Sequence, residues 1–260
     1  MKYYVVDAFA EERFHGNPAG VCVLEESMSK ELMQQIAIEH NLPETAFLYK
    51  CGDYYKLRWF TPCFEIDLCG HATLAAAFVV FQFLEPEVEH VYFDTISGVL
   101  AVTKKEGLYE MAFPKRIPEM MPLTDSVAAS IIETLDVVPV ALYEDRDLYV
   151  VLENEQAVIN YQPDYNQLKK LDKWLGIVLT AAGSESDFVS RYFCPELVAE
   201  DPVTGSSHSS LIPLWSEKLG KEKMVAKQLS ERGGTLYCEL GDNDVLIAGK
   251  AVLYMQGEIV

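Results

Sequence analysis

The chain has 260 residues, half of them hydrophobic, and its 21 basic and 40 acidic residues give a net charge of −19. This acidic excess argues against a nucleic acid or an anionic membrane surface as partner, because phosphate binding needs clustered Lys and Arg. No stretch approaches the ~18 apolar residues of a membrane span, and the 6 scattered cysteines form no C-x-x-C pair, which indicates a reduced, cytoplasmic protein.

The first half of the chain alternates strands with two helices. Ser29 offers an N-cap for a helix at 30–39, in which Leu32, Met33 and Ile36 share one face. The stretch EIDLCGHATLAAAFVVF (65–81) places an acid, a thiol, a glycine and an imidazole directly before a helix that is apolar on every side. Strands are predicted from β-rich runs at 3–6, 21–24, 45–49, 54–60, 91–95, 99–103 and 109–113.

The second half begins after a proline-rich segment, 113–125, which is the best candidate for a domain boundary. Asp125 opens one predicted helix, and apolar residues at helical spacing predict another at 168–175, ended by Gly176. Further strands are predicted at 148–152, 177–181, 188–193, 225–229, 235–239 and 245–248.

An internal duplication is indicated by elements that recur at one offset. A strand ending Phe60-Thr61-Pro62 leads to Gly70 and a helix, and a strand ending Phe193-Cys194-Pro195 leads to Gly205 and another, 133 residues later. The helix at 30–39 matches the one predicted at 168–175 at a similar offset. The sequence therefore predicts two similar α/β halves, 1–115 and 116–250, with the C-terminal strand 251–260 as a candidate addition to the first.

The helices that follow Gly70 and Gly205 are candidates for anion binding. A buried helix has unpaired N–H groups in its first turn, and its dipole favours an anion there. The two helix starts could therefore hold a small carboxylate. Caps from Asp67 and Thr204, or buried waters, explain the same pattern without a ligand, so both interpretations stay open.

Other kinds of site fit the residues less well. Cys69 and His71 lack further ligands at metal-site spacing, so no metal is predicted. Neither a P-loop, a G-x-S-x-G elbow nor a G-x-G-x-x-G turn occurs, and no lysine is marked for a pyridoxal Schiff base. Acid–base chemistry without a cofactor remains, with Cys69, His71, Asp201, Ser206 and His208 near the helix starts and Glu44 at the entry of a strand.

Four segments together resemble the PhzF-like family, which is named for an isomerase of phenazine biosynthesis and shares the diaminopimelate-epimerase fold. They are FHGNPAGVCVL (14–24), NLPETAFL (41–48), RWFTPCFEIDLCGHATLAAA (58–77) and AEDPVTGSSHSSLIPLW (199–215), in the family's order. The resemblance implies two pseudo-symmetric α/β domains of the α+β type, each a mostly antiparallel sheet around a central helix. It also implies an active site between them, a homodimer, and catalysis without cofactor or metal.

The resemblance also implies roles for individual positions. The family's acid/base glutamate falls on Glu44, its histidine on His71, and its aspartate and serine on Asp201 and Ser206. Substrate contacts are expected from Cys69, Gly70, Ala72, Thr204, Gly205 and Ser207. Ser207 stands where the family usually has alanine.

The leading hypothesis is a cofactor-independent isomerase that moves a proton between carbons of a small carboxylate-bearing metabolite in the inter-domain cleft. Glu44 would carry the proton, and His71, Asp201 and Ser206 would orient the substrate or assist. One alternative is an amino-acid epimerase or racemase that uses Cys69. A two-thiol version is disfavoured, because the second helix start offers Asp201 and no thiol. Another alternative is a metabolite-binding protein without catalysis.

Overall fold

The computed structural model describes all residues 1–260 and confirms a mixed α/β fold with two compact units. One unit comprises Met1–Phe113 and Leu246–Val260, and the other comprises Pro114–Val245. The chain returns to the first unit because its last strand pairs with its first, with Lys2 opposite Glu258 and Ala8 opposite Ala251.

The elements follow one another along the chain as strands interrupted by six helices. Up to the domain boundary they are β1 (Lys2–Ala8), β2 (Asn17–Val23), α1 (Lys30–His40), β3 (Glu44–Cys51), β4 (Tyr54–Phe60), β5 (Glu65–Ile66), α2 (Gly70–Val79) with a π-helical extension (Val80–Leu84), β6 (His90–Thr95), β7 (Gly98–Lys105) and β8 (Leu108–Pro114). Beyond it they are β9 (Glu119–Met121), α3 (Ser126–Leu135), β10 (Ala141–Glu144), β11 (Leu148–Val151), α4 (Glu155–Asn160), α5 (Tyr165–Leu168), β12 (Ile177–Ala182), β13 (Phe188–Cys194), β14 (Ala199–Asp201), α6 (His208–Leu219), β15 (Lys223–Gln228), β16 (Gly234–Leu240), β17 (Asp244–Gly249) and β18 (Ala251–Glu258).

The first unit is a mostly antiparallel sheet with α2 at its centre. Strand β1 lies between β2 and β18 and is antiparallel to both, whereas β2–β3 and β4–β6 are parallel pairs. Every residue of α2 is buried, as the apolar pattern on all its sides predicted. Helix α1 begins after Ser29, whose hydroxyl accepts from the N–H of Leu32, and ends at Asn41 in the left-handed conformation, so its predicted cap is confirmed.

The second unit repeats the strand pairings of the first. The antiparallel pairs β10–β11 and β12–β13 correspond to β1–β2 and β3–β4 of the first unit. The parallel pairs β11–β12 and β13–β15 correspond to β2–β3 and β4–β6. The helix that follows Gly205 is α6, and its residues 208–216 are all buried. Each unit therefore has one buried helix after its second antiparallel hairpin, which is the internal repeat that the sequence indicated.

One side-chain contact also recurs in both units. Arg58 donates from Nε and Nη2 to the two carboxylate oxygens of Glu65, at 2.6 and 2.9 Å. Arg191 donates in the same way to Glu200, at 2.7 and 2.9 Å. Planar, bidentate pairs of this kind fix two segments in one orientation. Both pairs hold a short strand, β5 or β14, that leads into the buried helix of its unit.

The prediction of a helix at 168–175 is wrong, since α5 ends at Leu168. The chain continues in tight turns in which the N–H of Leu171 donates to the carbonyl of Leu168, at 2.9 Å, and that of Trp174 to Leu171, at 3.4 Å. Backbone hydrogen bonds between residues i and i+3 place every third side chain on one side. Leu168, Leu171 and Trp174 therefore face the core together without an α-helix. The match to the helix at 30–39 therefore fails; α4 and α5 occupy the corresponding place between parallel strands.

Candidate active site

Glu44, Cys69 and His71, three of the candidate residues from the sequence, meet in the first unit. Glu44 is the first residue of β3, and His71 lies in the first turn of α2, directly after Gly70. The parallel pairing of β2 with β3 places Ala19 opposite Glu44, which brings Asn17, at the start of β2, to the same edge. Asn17 is fully buried. Asn17 was not among the candidates from the sequence, although it belongs to the segment FHGNPAGVCVL.

The imidazole of His71 contacts a different side chain through each ring nitrogen. Its Nε2 lies 2.8 Å from Oε2 of Glu44, and its Nδ1 lies 3.2 Å from Nδ2 of Asn17. In the neutral ring, an amide N–H that donates to Nδ1 keeps the ring proton on Nε2, toward the carboxylate. In the protonated ring both nitrogens donate, and the Asn17 amide then has to present its oxygen to Nδ1. The contact with Glu44 is close but does not have the alignment of a linear hydrogen bond. Because the side chains of His71 and Glu44 are only 6% and 17% exposed, water screens this charge contact weakly.

Cys69 completes this cluster, with Sγ 3.6 Å from Nδ1 of His71 and 4.0 Å from Nε2. Burial raises the pKa of the Cys69 thiol, so it is protonated at neutral pH. Burial alone would lower the pKa of His71, but the charges available on Cys69 and Glu44 act in the opposite direction, and the pKa lies well above its ordinary value. Since the thiol is neutral, the carboxylate of Glu44 is the charge that stabilises the imidazolium.

The start of α2 has no side-chain cap. Cys69 occupies the N-cap position in an extended conformation, and its side chain accepts no hydrogen bond from the first turn. The predicted alternative, a cap from Asp67, is therefore wrong. Ala72, an expected substrate contact, is fully buried within this turn, so only its backbone could reach a ligand.

In the second unit, Ser206 lies beside a charged pair in which Asp147 is buried and Arg146 is partly exposed. Nη2 of Arg146 donates to Oγ of Ser206 at 2.9 Å and lies 3.2 Å from Oδ2 of Asp147. Asp147 is 1% exposed, and the hydroxyl of Tyr192 donates to its other oxygen at 3.1 Å. Burial raises the pKa of Asp147, with Arg146 acting against the rise. Arg146 and Asp147 were not among the candidates from the sequence, where they stand out only as two charges directly before the fully buried strand β11.

Asp201 and Thr204 are held together by a buried glutamine. The Thr204 hydroxyl donates to a carboxylate oxygen of Asp201. Gln228, which is fully buried, accepts from the N–H of Thr204 and donates to the carbonyl of Asp201, both at 2.8 Å. The Thr204 side chain therefore orients Asp201. The helix cap that the sequence allowed for Thr204 does not form. Nothing in the sequence near Gln228 indicated this role.

Gly205 lies in a turn before α6, not in the helix itself, which begins at His208. The N–H of His208 donates to the carbonyl of Gly205 at 3.1 Å, and that of Ser210 donates to Ser207, also at 3.1 Å. These i to i+3 bonds form a tight first turn. The hydroxyl of Ser207 is turned inward and donates to the carbonyl of Thr204 at 2.9 Å. As a result, Ser207 stabilises the turn through its side chain.

His208 is an interior residue. It is fully buried, its Nδ1 lies 2.9 Å from the carbonyl oxygen of Thr204, and its ring lies 5.8 Å from that of Phe188. Burial lowers the pKa of His208 to about 4, so the ring is neutral at physiological pH. Its position indicates a packing role, and the proton-transfer role considered from sequence gains no support.

The two units differ at the position of the glutamate. Thr45 pairs with Phe60 in the first unit, and Ile177 pairs with Phe193 in the second, so Gly176 corresponds to Glu44. A Cβ atom at Gly176 would lie 2.0 Å from Cζ of Tyr192, far inside van der Waals contact. The aromatic ring of Tyr192 fills this space, and only the first unit has room for a carboxylate there.

Comparison with known proteins confirms the resemblance seen in the motifs. The family profile described as phenazine biosynthesis-like protein matches residues 6–257. A crystal structure described as a phenazine biosynthesis PhzC/PhzF protein of Clostridium difficile is 58% identical and superposes with a TM-score of 0.95, covering 100% of this chain and 99% of that one. An uncharacterized isomerase of Pseudomonas aeruginosa is 44% identical over 100% of this chain and 98% of its own length.

The fold extends to more distant proteins. A probable proline racemase of Agrobacterium radiobacter superposes with a TM-score of 0.64, at 10% identity, over 100% of this chain and 92% of that one. At this identity the likeness concerns the fold alone. None of the six helices combines the length and the apolar character needed to cross a lipid bilayer.

Proposed function

The chain belongs to the PhzF-like family of phenazine biosynthesis-like proteins, and from this premise we propose that it is an isomerase that moves a proton between carbons of a small carboxylate-bearing metabolite without a cofactor. The relatives from Pseudomonas aeruginosa are described as isomerases, which supports the reaction class. The observation that carries the proposal is the contact of 2.8 Å between Glu44 and His71 in a largely buried site.

In the proposed reaction, Glu44 takes a proton from a carbon next to the substrate's carboxylate and returns it to another carbon. An ionised carboxylate accepts a proton, and the same group in its acid form donates it, so one residue serves both half-reactions. His71 holds Glu44 in place through Nε2, and Asn17 fixes the ring from the other side. General acid–base catalysis of this kind contributes roughly 10²–10⁴ to the rate.

The substrate's carboxylate would be held by backbone N–H groups in the first turn of α2, after Gly70. The start of α2 has no side-chain cap, and unpaired first-turn N–H groups favour an anion. This is how a protein of net charge −19 would bind an acidic molecule, since the donors are local and point at the ligand.

In the second unit, Ser206 would serve as a hydrogen-bond donor. Arg146 already donates to Oγ of Ser206, so the hydroxyl proton of Ser206 is left for another acceptor. A developing enolate oxygen is such an acceptor, and donors oriented in advance stabilise the charge that forms there. Asp201, fixed by Thr204 and Gln228, would orient a polar group of the substrate.

A second candidate function is an epimerase in which Cys69 exchanges a proton with the substrate. The proximity of its Sγ to His71, 3.6 Å from Nδ1, favours this candidate. The corresponding position before Gly205 is Thr204, whose hydroxyl donates to Asp201, so no second thiol is in place. A Cys69→Ser variant that keeps full activity would remove this candidate, and loss of activity with retained substrate binding would favour it.

The proposal is tested by incubating the protein with a panel of small carboxylic acids in heavy water and measuring their mass. A true substrate gains deuterium with the wild-type protein and does not with Glu44→Gln. Glu87→Gln, which changes an exposed glutamate of the same unit, serves as the matched control and keeps the exchange. A ligand that binds the wild-type protein tightly and never gains deuterium would identify a binding protein instead.

A further inference from the structure

Three side chains with metal-binding atoms meet in the first unit. A carboxylate oxygen of Glu44, Sγ of Cys69 and a ring nitrogen of His71 all lie within 4.8 Å of one another. The sequence argued against a metal because Cys69 and His71 lacked further ligands nearby, but the fold supplies Glu44 from the start of β3. Thiolate, imidazole and carboxylate are the three ligand types that zinc uses in proteins.

The separations of these atoms approach those of a tetrahedral zinc site. With Zn–S near ~2.3 Å and Zn–N near ~2.0 Å, sulfur and nitrogen ligands lie about 3.6 Å apart. Sγ of Cys69 lies 4.0 Å from Nε2 of His71, and Nε2 lies 2.8 Å from Oε2 of Glu44. Binding thus requires the sulfur to approach Nε2 and the carboxylate to move away from it, by roughly half an ångström each. The sulfur and the carboxylate, which lie within 4.8 Å of each other, must also close to ligand spacing, and side-chain rotation supplies these movements.

The surroundings of the cluster also fit a metal site. Metal-bound imidazoles usually have a hydrogen-bond partner at the other ring nitrogen, which fixes the ring. Here the amide of Asn17 contacts Nδ1 at 3.2 Å. An ion on Nε2 moves the ring proton to Nδ1, and rotation of the Asn17 amide then presents its oxygen as the acceptor. The side chains of His71 and Glu44 are 6% and 17% exposed, and Cys69 is 6% exposed, so an ion would be largely shielded while one coordination position stays open.

We propose that Glu44, Cys69 and His71 bind one divalent cation of the zinc class, with a water molecule as the fourth ligand. Binding releases the thiol proton of Cys69 and one ring proton of His71 to solvent. The thiol distinguishes this site from one for magnesium or calcium, which take oxygen ligands. The ion would take up the lone pairs of Glu44 that proton transfer needs. Zinc is therefore an inhibitor of the isomerase rather than its cofactor, a consequence that rests on the proposed function.

The binding itself is tested without substrate, by titrating chelator-treated protein with cobalt chloride and recording its absorption. Cobalt bound to a thiolate gives a near-ultraviolet charge-transfer band, which the wild-type protein should show at one ion per chain and lose when zinc chloride is added. Cys69→Ser should abolish the band. Glu44→Gln should weaken cobalt binding by more than about 10-fold, since even outer contacts of metal sites contribute that much.

The control variants are Cys63→Ser and Cys51→Ser, which change thiols outside the cluster, one exposed and one half-buried. Both should leave the band and its stoichiometry unchanged. A band that survives Cys69→Ser and disappears in a control variant would overturn the proposal, as would the absence of a band in wild-type protein saturated with cobalt. Because the assay contains no substrate, its failure would leave the proposed isomerase activity untouched.

Discussion

Nη2 of Arg146 donates a hydrogen bond of 2.9 Å to Oγ of Ser206. This bond joins the segment that precedes strand β11 to the turn that precedes α6. The guanidinium is anchored in turn by Asp147. A hydroxyl oxygen that accepts from a cation donates its own proton more readily. Ser206 is therefore oriented as a hydrogen-bond donor before any ligand binds.

This orientation predicts that Arg146 acts on turnover through Ser206. Ser206→Ala should lower kcat by roughly 10², the loss seen when one preorganised donor is removed. Arg146→Met should lower kcat by about 10-fold and should have little further effect in the Ser206→Ala background. Arg116→Met, at an exposed arginine of the same unit, is the control. Fully additive losses in the double variant would show that Arg146 and Ser206 act independently.

The ion pair between Arg191 and Glu200 predicts a large effect on stability. The two side chains are only 10% and 17% exposed, and Nη1 of Arg191 also donates to the carbonyl of Tyr161 at 2.7 Å. Arg191→Met leaves the Glu200 carboxylate unpaired and should cost about 3 kcal/mol of unfolding free energy. Lys227→Met, which breaks an exposed pair with Glu185, should cost less than about 1 kcal/mol. Equal effects in denaturant titrations would contradict this account.

The close packing of Gly176 against Tyr192 predicts that the second unit tolerates no side chain there. Gly176→Ala would force the Tyr192 ring away from Asp147 and should cost about 1–3 kcal/mol of unfolding free energy. Gly257→Ala, where a Cβ atom meets nothing within 4 Å, should change stability by less than about 0.5 kcal/mol. Thermal melts of both variants compare the two sites, and a neutral Gly176→Ala would show that the space is open.

Burial of His208 predicts an acid-sensitive stability. Above pH 6.5 the ring is neutral in the folded and unfolded states and contributes no pH dependence. Below pH 6.5 this histidine is protonated in the unfolded chain, whereas in the folded protein it stays neutral until the pH approaches its pKa of about 4. Stability should therefore fall over this window, by roughly 3 kcal/mol in total.

The measurement is the unfolding free energy at about pH 7 and about pH 4.5. Between these values His208→Gln should lose less stability than the wild-type protein, because it has no ring to protonate. His90→Gln, at an exposed histidine, should lose as much as the wild-type protein. If His208→Gln followed the wild-type protein instead, the buried ring would not be the source of the acid sensitivity.

Local patterns in the sequence predicted part of this structure. Helix α2 was foreseeable because residues 70–79 are apolar on every side, and Ser29 marked the start of α1 correctly. The tight turns at 168–175 could not be foreseen, because apolar residues three apart suit both an α-helix and turns of this kind. Spacing alone does not distinguish these two periods over so short a segment.

The candidate site shows the same division. Glu44, Cys69 and His71 were candidates from their motifs and the family resemblance, whereas Arg146 and Gln228, which contact Ser206 and Asp201, were not. Arg146 reaches Ser206 across 60 residues, and Gln228 reaches Asp201 across 27. Such contacts depend on how the strands pair, and a polar residue at the end of a strand gives no sign of which distant turn it will contact.

If Glu44 carries the transferred proton, the rate at which the substrate's carbon gains deuterium from solvent depends on this carboxylate. Glu44→Gln keeps the size of the side chain and removes its basicity, so the exchange rate should fall at least about 10²-fold, and Glu87→Gln should leave it unchanged. Exchange in Glu44→Gln at the wild-type rate, with the same substrate, would contradict the proposed chemistry.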